Sequence, residues 1–140
     1  MKKLLKPSAL IVVMLLSFLT FTSKAQTGTD LMKMIATEMN KSCPMDCGDG
    51  LLITKVSYAN SYLVFELTNN ESYVKMTDII ANRTLFKDTM LETLAESFSD
   101  PDLAALLINT KTGFKFNIKG TKSGKTCLIS VSSQELTDAL

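Results

Sequence analysis

Three cysteines are the residues of this chain with the greatest potential for chemistry. Cys43 and Cys47 flank a short segment that contains Pro44, and Cys127 lies near the C-terminus. A loop this short can bring two Cα atoms within the roughly 4.4–6.8 Å that a disulfide requires. We therefore predict a Cys43–Cys47 disulfide, with Cys47–Cys127 as the alternative pairing.

The same two loop cysteines allow a second interpretation, a thiol- or disulfide-active protein that uses Cys43 and Cys47. Their spacing is Cys-x-x-x-Cys, one residue longer than the Cys-x-x-Cys motif of thioredoxin-like proteins. No βαβ pattern surrounds them, which is the usual setting of that motif. The spacing therefore favours a structural role, and thiol chemistry stays the alternative.

The sequence contains no histidine. Histidine is the usual base near neutral pH and the commonest metal ligand, so Ser-His-Asp and Cys-His catalysis and the usual zinc sites are excluded. The acidic pair Asp46 and Asp49 lacks the regular oxygen ligands and closing Glu of an EF-hand loop. We expect a protein that is not an enzyme and that has neither a metal site nor a cofactor.

The N-terminus has the three parts of a secretory signal. Lys2, Lys3 and Lys6 precede an apolar run over residues 9–21, and small residues follow at 23 and 25. The apolar run is too short to cross a bilayer, which takes roughly 20 residues. We predict a signal peptide over residues 1–25 and one exported domain over 26–140, periplasmic or extracellular and not membrane-spanning after cleavage.

The charge of the mature chain bears on its partners. The signal holds four of the fifteen basic side chains, which leaves eleven against fourteen acidic ones. So small a net charge argues against nucleic acid as a partner.

The elements that would position these residues fall into two helix-plus-hairpin units. In the first, Asp30 caps a helix whose apolar face carries Leu31, Met34, Ile35 and Met39. Strands over 51–58 and 61–68 follow, with a turn around Ala59-Asn60. Pairing across that turn places Val56 opposite Leu63, Thr54 opposite Phe65 and Leu52 opposite Leu67, on the core side.

The second unit repeats this plan. Periodicity predicts a helix over 84–98, and Asp100-Pro101 begins another. Strict alternation predicts a strand over 113–119, and a returning strand over 125–131 carries Cys127, Ile129 and Val131 on one face. Ser132 and Glu135 form a capping box for a last helix over 133–139.

This order, αββααββα, predicts an α+β fold with one four-stranded antiparallel sheet and helices on one face. The other face would be open, and its mixed aromatic, apolar and basic content suits recognition of a macromolecule, a protein or a glycan. The predicted partner-binding residues are Ile53, Tyr62, Val64, Lys115, Asn117 and Leu128. A second copy of the chain or a structural role in the envelope would also cover such a face.

The lysines at 111, 115, 119, 122 and 125 form a basic ribbon without an acidic residue among them. Lysines of this kind often protect an edge hairpin against aggregation, and they also suit an anionic partner. The sequence alone favours edge protection.

Two resemblances accompany this interpretation. The duplicated αββ plan is similar to the small exported PepSY-like and beta-lactamase-inhibitor-like domains, an analogy of fold only. The Asn40-x-x-Cys43-Pro44 loop, the hairpin after it and the Lys-rich turn over 119–125 resemble small uncharacterised exported bacterial proteins. That resemblance implies export and no particular chemistry.

Overall fold

The computed structural model of the protein describes residues 28–48, 50–97 and 101–139. The predicted signal peptide, residues 1–25, lies outside them. Within the described ranges ten elements follow one another: α1 (Gly28–Lys41), β1 (Met45–Gly48), β2 (Leu51–Ala59), β3 (Tyr62–Asn69), α2 (Met76–Ala81), α3 (Arg83–Ser97), α4 (Pro101–Asn109), β4 (Gly113–Gly120), β5 (Thr126–Val131) and α5 (Ser133–Ala139). In the described part of the chain, no helix is both long and apolar enough to span a membrane.

The sheet has five strands in the order β1-β2-β3-β4-β5, and it is mixed. The β3–β4 pair is parallel, and the other three pairs are antiparallel. The prediction of four antiparallel strands is therefore wrong. The three helices between β3 and β4 return the chain to the end of the sheet at which β3 began, and such a crossover makes the two strands parallel.

The fifth strand is β1. It lies in a segment that the sequence predicts to be a loop because the segment contains a proline and glycines. The strand is four residues long and pairs with β2 at Met45, Asp46 and Gly48, with an irregularity between Asp46 and Gly48. The Asp46 carboxylate accepts a hydrogen bond from the Gly48 N–H at 2.8 Å, which closes a local turn inside the strand. The Cys43–Pro44 peptide bond just before β1 is cis.

The β2–β3 hairpin turns at Asn60-Ser61, one residue later than predicted. Both residues have positive φ, 53° and 66°, which is the backbone of a two-residue type I′ turn. A bulge in β2 at Thr54 then changes which residues face the core. Because of it, Ile53 and Val56 both point inward, and Ile53 lies opposite Leu67.

The core lies between one face of the sheet and the helices. Three aromatic rings from β3 and β4 form its centre: Phe65 stacks on Phe116 at 5.5 Å and on Phe114 at 6.2 Å between ring centroids. In α1 the buried side chains are Met32, Ile35, Ala36 and Met39. The predicted stripe was partly wrong, since Met34 is 43% exposed.

Candidate functional site

The face of the sheet away from the core is uncovered by the described helices. All its described side chains are at least partly exposed, whereas those of the opposite face are buried or, at the edge, half-buried. We call this surface the open face. Its residues on the three strands β3–β5 are Tyr62, Val64, Glu66, Thr68, Lys115, Asn117, Lys119, Thr126, Leu128 and Ser130.

The parallel register positions an aromatic and a cation together on the open face. Tyr62 lies beside Gly113 across the β3–β4 pair. A side chain at Gly113 would collide with the Tyr62 ring, so the glycine lets the ring lie flat on the strand. The ammonium of Lys115 lies 4.4 Å from the centre of the Tyr62 ring, within the range of a cation–π interaction. The two side chains therefore contact each other on the open face.

Two rows of neighbouring residues cross the sheet next to this pair. Val64, Lys115 and Ser130 form the first row, and Glu66, Asn117 and Leu128 form the second. Leu128 is 43% exposed, so part of its apolar surface is free for contact. The rows combine apolar contact area with hydrogen-bonding groups, which is the composition of a recognition surface.

The structure thus brings together five of the six residues predicted for partner binding: Tyr62, Val64, Lys115, Asn117 and Leu128. The sixth, Ile53, is fully buried on the other side of the sheet. Its assignment is wrong because the bulge at Thr54 shifts the alternation of β2 by one residue.

The lysines do not form one ribbon. Lys119, Lys122 and Lys125 lie at one end of β4, whereas Lys111 lies in the turn before its other end. Moreover, β4 is an interior strand, paired on both sides. Edge protection therefore does not explain Lys115 and Lys119.

The disulfide prediction is wrong, since all three cysteines are free thiols. Cys47 lies in β1 and Cys127 in β5, at opposite edges of the sheet. Four strand spacings separate them, about 19 Å, so the alternative pairing is excluded as well. Cys127 is a buried apolar residue of the core.

The environment of the thiols disfavours redox catalysis. Burial raises the pKa of the Cys47 thiol to about 11, and the nearby Asp46 carboxylate and Cys43 add to this rise. Burial also raises the pKa values of Cys43 and Cys127. Catalytic cysteines have lowered pKa values because the thiolate is the nucleophile, so these thiols lack that activation.

Nothing in the described ranges gathers three or more Asp, Glu, Cys or His side chains into a group that could hold a metal ion. Asp46 is exposed on the outer side of β1, and Asp49 lies outside the described residues.

The sequence did not predict a set of hydrogen bonds that Glu71 accepts beside the sheet. The Glu71 carboxylate accepts from the N–H groups of Ser123 at 2.8 Å and Lys122 at 3.0 Å, across the end of the sheet. The Ser123 N–H, together with that of Met76, holds the pKa of Glu71 below its ordinary value, although burial opposes the shift. Glu71 therefore fixes the lysine-bearing turn after β4. Its positive φ of 62° leaves no signature in the sequence.

This chain is similar to some known proteins in its fold. No protein-family model matches the chain, and no curated protein matches it. A solved structure of a candidate secreted protein from Pseudomonas aeruginosa is similar with a TM-score of 0.62 and 10% identity, covering 81% of this chain and 99% of that one.

Two pilotins of type 2 secretion systems have a related fold. EpsS from Vibrio vulnificus aligns with a TM-score of 0.51 and 11% identity. AspS from Vibrio cholerae aligns with a TM-score of 0.50 and 12% identity. Each alignment covers 77% of this chain and 91% of the pilotin. At such identities the likeness concerns the fold.

Proposed function

We propose that this protein is an exported, non-catalytic domain that binds a protein partner through its open face. One observation carries the proposal: the Lys115 ammonium lies 4.4 Å from the centre of the Tyr62 ring on a sheet face that the described helices leave uncovered. An aromatic ring and a cation that already contact each other have less side-chain entropy to lose on binding, and both residue types are frequent hot spots of interfaces.

The surroundings of the pair support a protein as the partner. Val64 and Leu128 supply apolar area next to it, and Asn117 supplies hydrogen-bonding groups between them. Interfaces combine apolar centres with polar surroundings in this way. A purely electrostatic site for an anionic glycan would not require an exposed leucine.

The related folds point in the same direction. Two of the similar structures are pilotins, components of type 2 secretion systems, and a third is a candidate secreted protein. Together with the N-terminal signal in the sequence, they support a function outside the cytoplasm, periplasmic or extracellular. The lack of histidine and the raised thiol pKa values support a function without catalysis.

The proposal is tested by site-specific photo-crosslinking in cells that export the protein. A photoreactive amino acid at Asn117 would cross-link a bound partner, and one at Thr37, exposed on α1, serves as the control position. We expect a discrete adduct from position 117 alone. Once the partner is identified by mass spectrometry, its affinity is measured with purified proteins.

Tyr62→Ala together with Lys115→Ala should weaken that affinity by about 30-fold or more, the size of a hot-spot effect. Tyr73→Ala together with Lys75→Ala is a matched control, since both residues are exposed outside the open face. Equal losses in the two double variants would contradict the proposal, as would an adduct from position 37 of the same mass. An adduct of twice the chain mass would identify a second copy as the occupant.

A further inference from the structure

Three sulfur-bearing residues, Cys43, Met45 and Cys47, lie within five positions of the sequence at the β1 edge of the sheet. Met45 and Cys47 alternate in β1 with the more exposed Asp46 and Gly48, although the pairing with β2 is irregular between Asp46 and Gly48. Met45 and Cys47 are half-buried and pack against the core, whereas Asp46 between them is exposed on the opposite side. The strand therefore presents sulfur inward and its carboxylate outward.

Cys43 extends this arrangement from the segment between α1 and β1. It packs against the same core, and its thiol donates to the Met39 carbonyl at 3.6 Å. Cys43 and Cys47 also lie within electrostatic reach of each other. The two thiols are nevertheless not joined in a disulfide.

We propose that Cys43, Met45 and Cys47 form a sulfur-only binding site for a soft monovalent metal ion, Cu(I) or Ag(I). Thiolate and thioether ligands select soft metal ions, Cu(I) among them. Zn²⁺ takes four ligands in structural sites, and two thiols without a histidine do not supply them. Ca²⁺ and Mg²⁺ take oxygen ligands, and the nearest carboxylate, that of Asp46, is turned away and accepts from the Gly48 N–H.

The position of β1 also fits a bound ion. In the described part of the chain β1 is an edge strand that pairs with β2 alone, so these partly exposed residues can be reached from the side of the sheet. On binding, the two S–H bonds are replaced by two metal–sulfur bonds, and two protons go to the solvent. The Met45 sulfur adds a neutral donor through its lone pair, and the oxidation state of the ion does not change.

The test uses the full reduced chain under anaerobic conditions, with Cu(I) supplied as its complex with the chromophoric chelator bathocuproine disulfonate. We expect the protein to remove one Cu(I) per chain from the chelator, which is read from the loss of the complex's absorbance. Cys47→Ser and Cys43→Ser should each lower the affinity by about 100-fold or more, since even residues behind the ligands contribute 10–100-fold. Met45→Leu should lower it less.

Cys127→Ser is the matched control, since Cys127 lies at the other edge of the sheet. It should bind as the native chain does. Failure of the native chain to compete with the chelator would overturn the proposal, as would equal binding by the Cys43→Ser, Cys47→Ser double variant.

A second measurement distinguishes a folded site from binding to exposed thiols. An ion that binds only the native state raises the midpoint of thermal unfolding. Saturating Ag(I) should raise it in the native chain and in Cys127→Ser, but not in the double serine variant. X-ray absorption of the copper-loaded protein should show a coordination shell of sulfur alone, and nitrogen or oxygen ligands in that shell would refute the assignment.

Discussion

Asn69 should be the polar residue on which the stability of the fold most depends. It is fully buried at the end of β3. Its amide nitrogen donates to the Val74 carbonyl at 2.8 Å, and its amide oxygen accepts from the Glu71 N–H at 2.9 Å. One side chain therefore satisfies two backbone groups of the segment that leads from the sheet into α2.

The cost of removing it follows from those two groups. Asn69→Ala leaves one backbone carbonyl and one backbone N–H without their partner, and an unsatisfied buried group costs about 1–3 kcal/mol. We expect the free energy of unfolding to fall by about 2–4 kcal/mol, once partial access of water is allowed for. Asn69→Leu removes both hydrogen bonds and adds volume at a fully buried site, so its free energy of unfolding should fall at least as far.

Urea unfolding followed by far-UV circular dichroism measures this change, with the slope of the transition checked for constancy. Asn117→Thr is the control, because Asn117 is exposed on the same sheet and its replacement should stay within about 0.5 kcal/mol. If Asn69→Leu were as stable as the native chain, the two hydrogen bonds would not be what stabilises this part of the fold.

Three further perturbations test other parts of the structure. The pKa of Glu71 is lowered in the fold, so its stabilisation is present above the ordinary carboxyl pKa and is lost as the pH falls. The urea midpoint of the native chain should therefore fall more steeply between about pH 6 and pH 3 than that of Glu71→Gln, and parallel curves would contradict this. Gly113→Ala should destabilise the protein by about 1–3 kcal/mol, because the new Cβ would lie 2.6 Å from both the Tyr62 ring and the Val131 carbonyl; the same urea assay measures this, and NMR shifts of the Tyr62 ring should show its displacement. Phe65→Ala should cost about 3–5 kcal/mol by the same assay, because Phe65 stacks on two other buried rings, and a loss below about 1 kcal/mol would contradict the packing.

Elements with a strong local signal could be predicted from the sequence. The alternation of Phe114, Phe116 and Ile118 predicts β4 with the correct buried face. The capping box is confirmed, since the Ser132 hydroxyl accepts from the Glu135 N–H and the Glu135 carboxylate accepts from the Ser132 N–H, both at 3.0 Å. In each case the interacting residues are close in sequence, so the local sequence pattern is sufficient to predict the element.

Elements that depend on distant partners could not be predicted. β1 is a strand because β2 supplies its hydrogen bonds, and its own four residues include a glycine with positive φ. The bulge at Thr54 is stabilised from across the hairpin, where the Thr54 hydroxyl donates to the Glu66 carbonyl at 3.1 Å. Regular alternation was the reasonable expectation for β2, and it placed Ile53 on the wrong face.

The error in strand direction matters most for function. In an antiparallel β3–β4 pair, the start of β3 would lie beside the end of β4, and Tyr62 would neighbour Lys119 or Gly120. The parallel register instead places Tyr62 beside Gly113, with Lys115 two positions further along β4. The glycine supplies the space for the ring, and the lysine supplies the cation above it. The composition of the open face could therefore be predicted from the strands one at a time, but its central feature depends on the helical crossover that makes the two strands parallel.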